Sequence, residues 1–388
     1  MKSKRQMDED ANWDKMSTLA SNVQKGNVIN TASMPPWDDD RHESSPVDAH
    51  THDSTRSSNF SRPPQALVDV KPQLYSPLIL TIGPLYQTRN ANLSFDHNKA
   101  SSVDGFMQRH RISDKEELML RLNYDPLHMH YSGLPENSSN SLELLVTGDT
   151  IFIHEFLLFL SKENPTTGVC KYFTIFFFNN DFTFRARLRR DLLLVGNQIP
   201  MSYVKKITEI ANYRTFSLDV LEDTVRKFIV PRIPFISSKR VQTRFEEFLK
   251  SKDRKLIDKC QHLLDALYFA CTETFDATKR PSERSAASPE EESYHIPTAS
   301  QLSKAGISFK ACEGNISVIK YDKAKLQLHL PRLIVYDGTE DVLRNLLAYE
   351  QTFKDGGEFT TYMATMDSLI HTQEDLAILI KAKVLENH

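Results

Sequence analysis

The centre of the chain carries Leu192-Leu193-Leu194-Val195-Gly196-Asn197-Gln198-Ile199-Pro200, an apolar run that ends in two amide side chains and a proline. Four consecutive aliphatic residues indicate a buried segment. Proline is favoured in the first turn of a helix, where its missing amide hydrogen is not needed. Because the side-chain amides of Asn197 and Gln198 both donate and accept hydrogen bonds, we expect them to hold backbone groups at a helix boundary, which is a structural role.

On both sides of this stretch, apolar residues recur mostly at helical spacing. Residues 142–160 carry a broad apolar stripe, and residues 245–249 and 263–267 carry others. The first of these segments contains two glutamates, an aspartate and a histidine. Since each central acid costs a membrane-spanning helix roughly 2.5 to 3.5 kcal/mol, we predict a buried core helix there and no membrane span. The aromatic run of residues 173–178 is consistent with either a strand or a helix fragment.

Two polar stretches are predicted to be disordered. Residues 1–66 are rich in Ser, Asp, Asn and Pro, and a charged insert lies at about 277–294. Neither stretch can bury enough apolar surface to offset the entropy lost on ordering. The sequence therefore predicts a disordered N-terminal arm over residues 1–66, followed by one domain over residues 67–388 that contains the insert.

A helix and a hairpin are predicted after the insert. Thr298 and Gln301 form a capping-box pattern, which starts a helix over about 299–305, and Gly306 can take the left-handed conformation that ends it. Apolar residues 316–319 and the alternating leucines of residues 326–330 are typical of two short strands. We expect them to pair as an antiparallel hairpin.

Three helices are predicted in the last part of the chain. Asp337 is the expected N-cap of the first, with Glu340 at its third helical position, and Thr372 is the expected N-cap of the third. The residues expected to face inward are Met363, Met366, Leu369 and Ile370 in the second helix, and Leu376, Leu379 and Ile380 in the third. The fold class is therefore mainly α: a single large helical domain with a small antiparallel β-hairpin near the C-terminus.

Composition gives little indication of a partner. The chain has 48 Lys and Arg against 51 Asp and Glu, a net charge of -3, so no bulk field favours nucleic acid or anionic lipid. Its four cysteines show no metal-ligand spacing and are expected to be reduced. The basic start runs into acidic residues, not an apolar stretch, so we predict no secretory signal and a cytoplasmic location.

No catalytic, cofactor-binding or metal-binding residue is predicted. His154 and Glu155 begin a zinc-protease pattern, but Leu158 stands where the second histidine is required, so a partnered core pair is expected. His50 and His52 fall in the predicted disordered arm, where ordering entropy opposes metal binding. The sequence also lacks a nucleophile elbow, a phosphate-binding loop and a dinucleotide-binding glycine pattern.

Four arginines lie within residues 185–190, beside Phe182 and Phe184. Basic residues with aromatic neighbours occur on nucleic-acid surfaces, so nucleic-acid binding is one hypothesis. Asp181 and Asp191 flank the cluster, however, and no recognition motif accompanies it. A solvated helix face or an ion-pair network is the favoured interpretation, and no nucleic-acid partner is expected.

Four blocks, at residues 75–86, 192–200, 297–310 and 337–351, occur in an order that resembles the plant family called domain of unknown function 247. The resemblance extends from about residue 75 to the C-terminus and implies relatives and a fold, with no assigned chemistry. The signature residues, which we interpret as structural, are Gly83, Pro84, Asn197, Gln198, Pro200, Gly306, Phe309, Glu340, Arg344, Asn345 and Glu350.

The chain departs from the pattern of that family at three places. Gly196 stands where glutamate is usual, and Tyr86-Gln87-Thr88 stands where His-His-Gly is usual. Family members typically end in a membrane-spanning helix, and no such helix is predicted here. Any chemistry that depends on those usual polar side chains is therefore not expected in this chain.

Some grass members of the family resemble male-side determinants of self-incompatibility, which implies recognition and not catalysis. The sequence therefore predicts a non-enzymatic interaction or recognition module with an unidentified protein partner. One alternative is an enzyme with an unrecognised active site in the helical body, and another is nucleic-acid binding through residues 185–190. A membrane-associated location, as in the family, is the alternative to the cytoplasm.

Overall fold

Helices dominate the computed structural model, which describes residues 60–86, 96–123, 125, 127–132, 134, 140–161, 182–211, 216–250, 255–273, 296–354 and 357–387. The α-helices are α1 (Gln65–Val70), α2 (Asp96–His110), α3 (Lys115–Leu122), α4 (Leu127–His130), α5 (Asn140–Ser161), α6 (Phe182–Asp191), α7 (Met201–Ala211), α8 (Leu218–Ile229), α9 (Lys239–Lys250), α10 (Leu256–Lys259), α11 (Leu263–Thr272), α12 (Ala299–Lys304), α13 (Thr339–Phe353), α14 (Glu358–Leu369) and α15 (Gln373–Lys381). The strands are β1 (Ser308–Cys312), β2 (Lys320–Asp322), β3 (Gln327–Pro331), β4 (Leu333–Val335) and β5 (Leu385–Asn387). The mainly α fold class is confirmed.

Helix α5 lies at the centre of the N-terminal half. It packs against α2, α3, α7 and α8, and its apolar residues from Val146 to Phe159 are buried. By length and composition it is the one helix in the described ranges that could cross a membrane, and 72% of its most apolar stretch is buried inside the fold. The prediction of a buried core helix over residues 142–160 is therefore confirmed.

The predicted antiparallel hairpin is present as β2 and β3, with Lys320 opposite His329. Its first strand begins later than expected, because residues 316–318 form a 3₁₀ turn. The side chain of Asn315 starts this turn by accepting a hydrogen bond from the amide of Ser317. Leu326, which was expected to begin the second strand, lies before it in the left-handed region (φ +48°) and is 47% exposed.

Two parallel pairings were not predicted. β1 pairs with β3 in parallel, with Phe309 opposite Leu328, and β4 pairs with β5 in parallel, with Leu333 opposite Leu385. A parallel pair joins segments that are distant in the chain and has no turn between them to mark it. The sequence pattern therefore carries no local indication of these contacts.

The predicted capping box at Thr298 is confirmed for α12, and the predicted N-cap at Thr372 is confirmed for α15, where Asp375 completes a second capping box. Asp337 was the wrong N-cap for α13: Gly338 takes that position with φ +104° and makes no side-chain cap. The Thr339 hydroxyl organises the turn instead, since it accepts from the amide of Tyr336. The prediction that Ile380 faces inward was also wrong, because its side chain is 40% exposed.

The predicted domain boundary at residue 66 falls inside the packed structure. Phe60 is buried, its amide donates to the carbonyl of His130, and its carbonyl accepts from Ser132. The folded region therefore begins at or before Phe60. The predicted arm up to residue 59, the aromatic run at 173–178 and the insert at 277–294 lie outside the described residues.

Candidate functional site: an arginine-lined cleft

Buried polar side chains fix the segment of residues 75–86 to the centre of the chain. The carboxylate of Asp191 accepts hydrogen bonds from the amides of residues 78–80 at 2.8 to 3.0 Å. Asn197 Oδ1 accepts from the amide of Ile82 at 2.8 Å, and its Nδ2 donates to the carbonyl of Leu80 at 3.2 Å. An irregular buried segment has no helical partners for its amides, and these two side chains supply them.

Gln198 performs a similar role one residue later. Its Nε2 donates to the carbonyls of Leu192 and Leu194 at 3.0 and 2.8 Å, and its Oε1 accepts from the amide of Leu264 at 3.3 Å. Pro200 directly precedes α7. The amide side chains of Asn197 and Gln198 therefore both bind backbone groups, directly before helix α7.

Gly83 lies against this stretch. Its φ of +68° is in the left-handed region, and a Cβ atom there would lie 2.8 Å from the carbonyl oxygen of Gln198. The amide of Gly83 donates to Asp149 of α5 at 2.9 Å, and Pro84 follows in a buried position. No side chain larger than hydrogen fits at residue 83.

Helix α13 carries four signature side chains, and three of them, Glu340, Arg344 and Asn345, lie in its first two turns. Asn345 Oδ1 accepts from the amide of Val195 at 3.0 Å, and its Nδ2 donates to the carbonyl of Leu74 at 3.2 Å. Glu340 accepts from Arg344 Nε at 2.9 Å and from Lys71 Nζ at 2.6 Å. These bonds hold α13 against both residues 192–200 and the N-terminal part of the domain.

The remaining signature residues lie away from residues 192–200. Glu350 accepts from the hydroxyl of Tyr268 at 2.6 Å and from two backbone amides of α14. Gly306 ends α12 with φ +87°, and Phe309 packs on the core from β1. The signature residues thus form several separate structural contacts and do not converge on one site.

Two of the departures from the pattern of the resembled family touch each other. Gly196 has φ +83°, and a Cβ atom there would lie 3.2 Å from the ring of Tyr86. The Tyr86 hydroxyl donates to the carbonyl of Tyr75 at 2.7 Å and lies 3.2 Å from that of Val195. The ring of residue 86 therefore occupies the space beside residue 196.

A cleft with a volume of about 210 Å³ opens where α6, the 3₁₀ turn Val230–Arg232 and the start of α13 meet. We call it the arginine cleft. Its lining residues are Ala186, Arg187, Arg189, Arg190, Leu193, Arg232, Tyr336, Asp337, Gly338, Asp341, Val342 and Asn345. The predicted basic cluster therefore contributes to a concave site together with residues that are distant in sequence.

Arg190 is the structural member of the arginine cleft. Its Nε donates to Asp341 at 2.8 Å, its Nη1 donates to Asp191 at 3.0 Å, and the same group reaches the carbonyl of Ser76 at 3.0 Å. The interpretation of the basic cluster as an ion-pair network is confirmed for this residue. Its charge is compensated within the fold.

Arg189 and Arg232 are arranged differently. Burial and the neighbouring guanidinium groups of Arg232 and Arg185 lower the pKa of Arg189 to about 10, which leaves it charged at neutral pH. Burial also lowers the pKa of Arg232. Like charges held together in a half-buried place are unfavourable until an anion joins them.

Two donors in the arginine cleft have no acceptor within the described part of the chain: Nε of Arg232 and the hydroxyl of Tyr336. Burial raises the pKa of Tyr336, against the opposing effect of Arg232, so the phenol keeps its proton at neutral pH. A buried donor without an acceptor costs about 1 to 3 kcal/mol. Both residues line the arginine cleft, where a bound anion would supply acceptors.

The sequence profile of a plant family, described as plant protein of unknown function and called domain of unknown function 247, matches residues 61–388. The chain belongs to this family. The arginine cleft and every signature residue lie within the matched region. The resemblance stated from the sequence is therefore confirmed, and the cleft is part of the domain of unknown function 247.

Two members of the UPF0481 group from Arabidopsis thaliana are similar to this member of the family. One is 41% identical over 96 residues, which cover 24% of this chain and 18% of that protein. The other is 24% identical over 353 residues, which cover 84% of this chain and 68% of that protein. No solved structure matches the chain.

The other candidate side chains of this family member lie in the core. His154 and Glu155 are both buried and Glu155 accepts from Arg109, so their expected position in the core is confirmed. Within the described residues, no three His, Cys, Asp or Glu side chains gather where they could hold a metal ion. His50 and His52 lie outside the described residues.

Sequence reasoning identified only part of the arginine cleft. It singled out the arginines of α6, but not Arg232 or Tyr336. Arg232 stands alone in an apolar segment, and Tyr336 follows the β4 strand, so neither belongs to a charge run or a motif. No signal in the sequence alone brings these two residues to the cluster.

Proposed function

We propose that this protein is a non-enzymatic recognition module that binds an acidic segment of a protein partner in the arginine cleft. The observation that carries the proposal is the pair of unsatisfied buried donors, Arg232 Nε and the Tyr336 hydroxyl. Buried polar groups are nearly always hydrogen-bonded in folded proteins. Buried donors without an acceptor, on two residues that line a cleft, therefore favour a ligand that carries acceptors.

The residue types support an anionic ligand. Arginine presents several donors in a rigid plane that matches carboxylate and phosphate groups, and it stays charged at all physiological pH values. Arg187 and Arg189 approach the cleft from α6, and Arg232 approaches it from the 3₁₀ turn. Charges that reach one space from two elements favour a discrete acidic group, because a solvated helix face does not enclose its charges.

The size and chemistry of the arginine cleft favour recognition over catalysis. Sites for drug-sized ligands and cofactors occupy roughly 300–1,000 Å³, whereas this cleft has about 210 Å³. It fits a charged side chain. Within the described chain its lining contains no serine, cysteine, histidine or lysine, so a nucleophile paired with a histidine or lysine base is absent from the lining.

Binding to degenerate peptides tests the proposal. The full chain is titrated by fluorescence anisotropy with two labelled peptide pools that have random flanks and a fixed central residue, Glu in one pool and Gln in the other. We expect the Glu pool to bind more tightly, and Arg187→Gln to weaken that binding about tenfold, the effect of one lost charged hydrogen bond. Arg187 is exposed, so its replacement leaves the fold intact.

Arg121→Gln is the matched control, because Arg121 is an exposed arginine of α3 that pairs with Glu117 outside the cleft. Its binding should equal that of the unmodified chain. Equal affinity for the Glu and Gln pools, or equal loss in the two arginine variants, would refute the proposal. Turnover of a substrate by the unmodified chain that Arg187→Gln abolishes would favour the enzyme alternative.

We also propose that the chain meets its partner in the cytoplasm, and the burial of α5 supports this. Fractionation of the tagged chain from plant cells, with an alkaline wash of the membrane pellet, measures the distribution. We expect the chain in the supernatant. Retention in the washed pellet would overturn this proposal and favour the membrane-associated alternative.

A further inference from the structure

We infer that the acidic group bound in the arginine cleft is a phosphorylated side chain, and that an apolar residue beside it enters an adjoining depression. This inference rests on the proposed function and specifies its ligand. Three features of the described residues carry it: the uncompensated charge of the cleft, the number and placement of its free donors, and the surface next to it.

The charge of the cleft matches a dianion. Four arginines and two aspartates line it, which leaves a formal charge of +2. Arg190 and Asp341 compensate each other through their 2.8 Å bond, so the excess belongs to Arg187, Arg189 and Arg232 facing Asp337. A phosphorylated side chain carries about -1.5 to -2 at neutral pH, whereas a carboxylate carries only about -1.

The donors also favour a phosphoryl group. Tyr336 and Arg232, which hold the two unsatisfied donors, line the cleft from the segment after β4 and from the 3₁₀ turn, and Arg187 and Arg189 line it from α6. A carboxylate offers two oxygens in one plane. A phosphoryl group offers three oxygens arranged around phosphorus, which allows it to accept from both sides at once.

A second, more open depression of about 410 Å³ shares Arg232 and Tyr336 with the arginine cleft. Its other lining residues are Ile233, Ile236 and Ile334, together with Pro231, Ser237 and Ser238. The two sites therefore adjoin at Arg232 and Tyr336. A peptide that places its phosphoryl group in the cleft has an apolar surface immediately beside it, which favours an aliphatic neighbour in the peptide.

The same surroundings argue against a nucleic-acid backbone. Nucleic-acid channels present a continuous positive groove that follows successive phosphates. Here Asp337 and Asp341 border the arginine cleft, and isoleucines line the depression that shares Arg232 with it. A second phosphate next to the first would meet carboxylates or an apolar surface, so a single phosphoryl group on a peptide fits better.

Three labelled peptide pools with random flanks test the inference on the full chain, with phosphoserine, Glu or Ser at the fixed central position. We expect phosphoserine to bind at least tenfold more tightly than Glu, and Ser to bind most weakly. Arg232→Met should remove most of the preference for phosphoserine over Glu. Arg121→Gln should preserve it, and thermal melts of all variants identify any that fail to fold.

The adjoining depression is tested separately. In phosphoserine pools, Ile or Asn is fixed at each position next to the phosphoserine in turn. At one of these positions the Ile pool should bind more tightly than the Asn pool. Ile236→Ser should remove that difference and leave the preference for phosphoserine over Glu unchanged. Ile236 is only partly buried, so this replacement is compatible with folding. Equal binding of the Ile and Asn pools at every position would refute the apolar part of the inference.

The outcomes separate the two proposals. Equal affinity for phosphoserine and Glu pools overturns the phosphoryl inference and leaves the recognition of an acidic segment standing. No binding of either pool overturns both. Tighter binding of single-stranded RNA, or of vesicles that contain a phosphoinositide, than of the phosphoserine pool would assign the cleft to another class of phosphate and overturn the inference.

Discussion

Protonation of His262 is expected to destabilise the folded protein below pH 6.5. His262 is the N-cap of α11, where its Nδ1 accepts a hydrogen bond from the amide of Asp265 at 3.1 Å. Only an unprotonated Nδ1 can accept, and the positive end of the helix dipole also opposes a charged ring. The rings of Phe60 and Tyr349 pack edge-on against the imidazole ring of His262, with distances between ring centroids of 4.8 and 5.1 Å.

These surroundings lower the pKa of His262 to about 4, mainly through burial. Asp265 opposes the shift, and Lys354 adds to it. His262 binds a proton at about pH 6.5 in the unfolded chain, but only near pH 4 in the folded chain. The stabilisation that depends on neutral His262 is therefore fully present above pH 6.5 and is lost as the pH falls toward 4. A shift of about 2.5 pKa units corresponds to about 3 kcal/mol.

Urea denaturation of the full chain at intervals between pH 4 and pH 7 measures this loss. His262→Asn keeps a good N-cap that does not titrate, so the variant should be less stable at pH 7 but should lose less stability on acidification, by about 3 kcal/mol. Identical pH dependence in the unmodified chain and in His262→Asn would refute the reasoning.

Three further predictions concern side chains that fix the fold. Asp191→Ala leaves the amides of residues 78–80 without their acceptor and should lower the free energy of unfolding by roughly 3 to 5 kcal/mol, measured by urea denaturation; a loss below about 1 kcal/mol would contradict this. Gly196→Ala forces a Cβ atom into the left-handed region and should cost about 1 to 2 kcal/mol, whereas Gly148→Ala within α5, where the nearest atom to the added Cβ is 3.6 Å away, should be neutral or stabilising; equal effects would count against the steric argument. Burial opposes the charge of Asp375, but hydrogen bonds from Ser300 and from neighbouring hydroxyls lower its pKa to about 2, so it stabilises the fold above about pH 4 and this contribution is lost toward pH 2. Asp375→Asn should reduce the change in melting temperature between pH 4 and pH 2. An unchanged dependence of melting temperature on pH would show that these hydrogen bonds do not stabilise the charged carboxylate.

The features that the sequence predicted correctly are local in the chain. The core helix α5 follows from apolar spacing within one segment, the capping box at Thr298 needs only the residue three positions later, and the N-cap at Thr372 needs only its place before a helical pattern. Asn197 and Gln198 were expected to bind backbone, and their contacts lie partly within the same stretch. Short-range geometry is sufficient for all of these.

The features that were missed depend on distant segments. The bond between Arg190 and Asp341 joins residues 151 positions apart, and the arginine cleft also needs Arg232 from a third segment. The parallel pairing of β1 with β3 is set by tertiary packing and not by a turn. Asp337 was assigned as an N-cap from residue type alone, whereas the backbone of Gly338 and the Thr339 hydroxyl decide that turn.

The contact between Gly196 and Tyr86 makes two positions that are far apart in sequence depend on each other. A Cβ atom at residue 196 would lie 3.1 Å from the carbonyl oxygen of Ser61 and 3.2 Å from the ring of Tyr86, so a side chain there requires a small shift of the backbone at residue 61 as well as a group of different shape at residue 86. The carbonyls of Tyr75 and Val195 then need another donor. Substitutions at the two positions are therefore expected to arise together. In an alignment of relatives, we expect glycine at the first position to covary with tyrosine at the second.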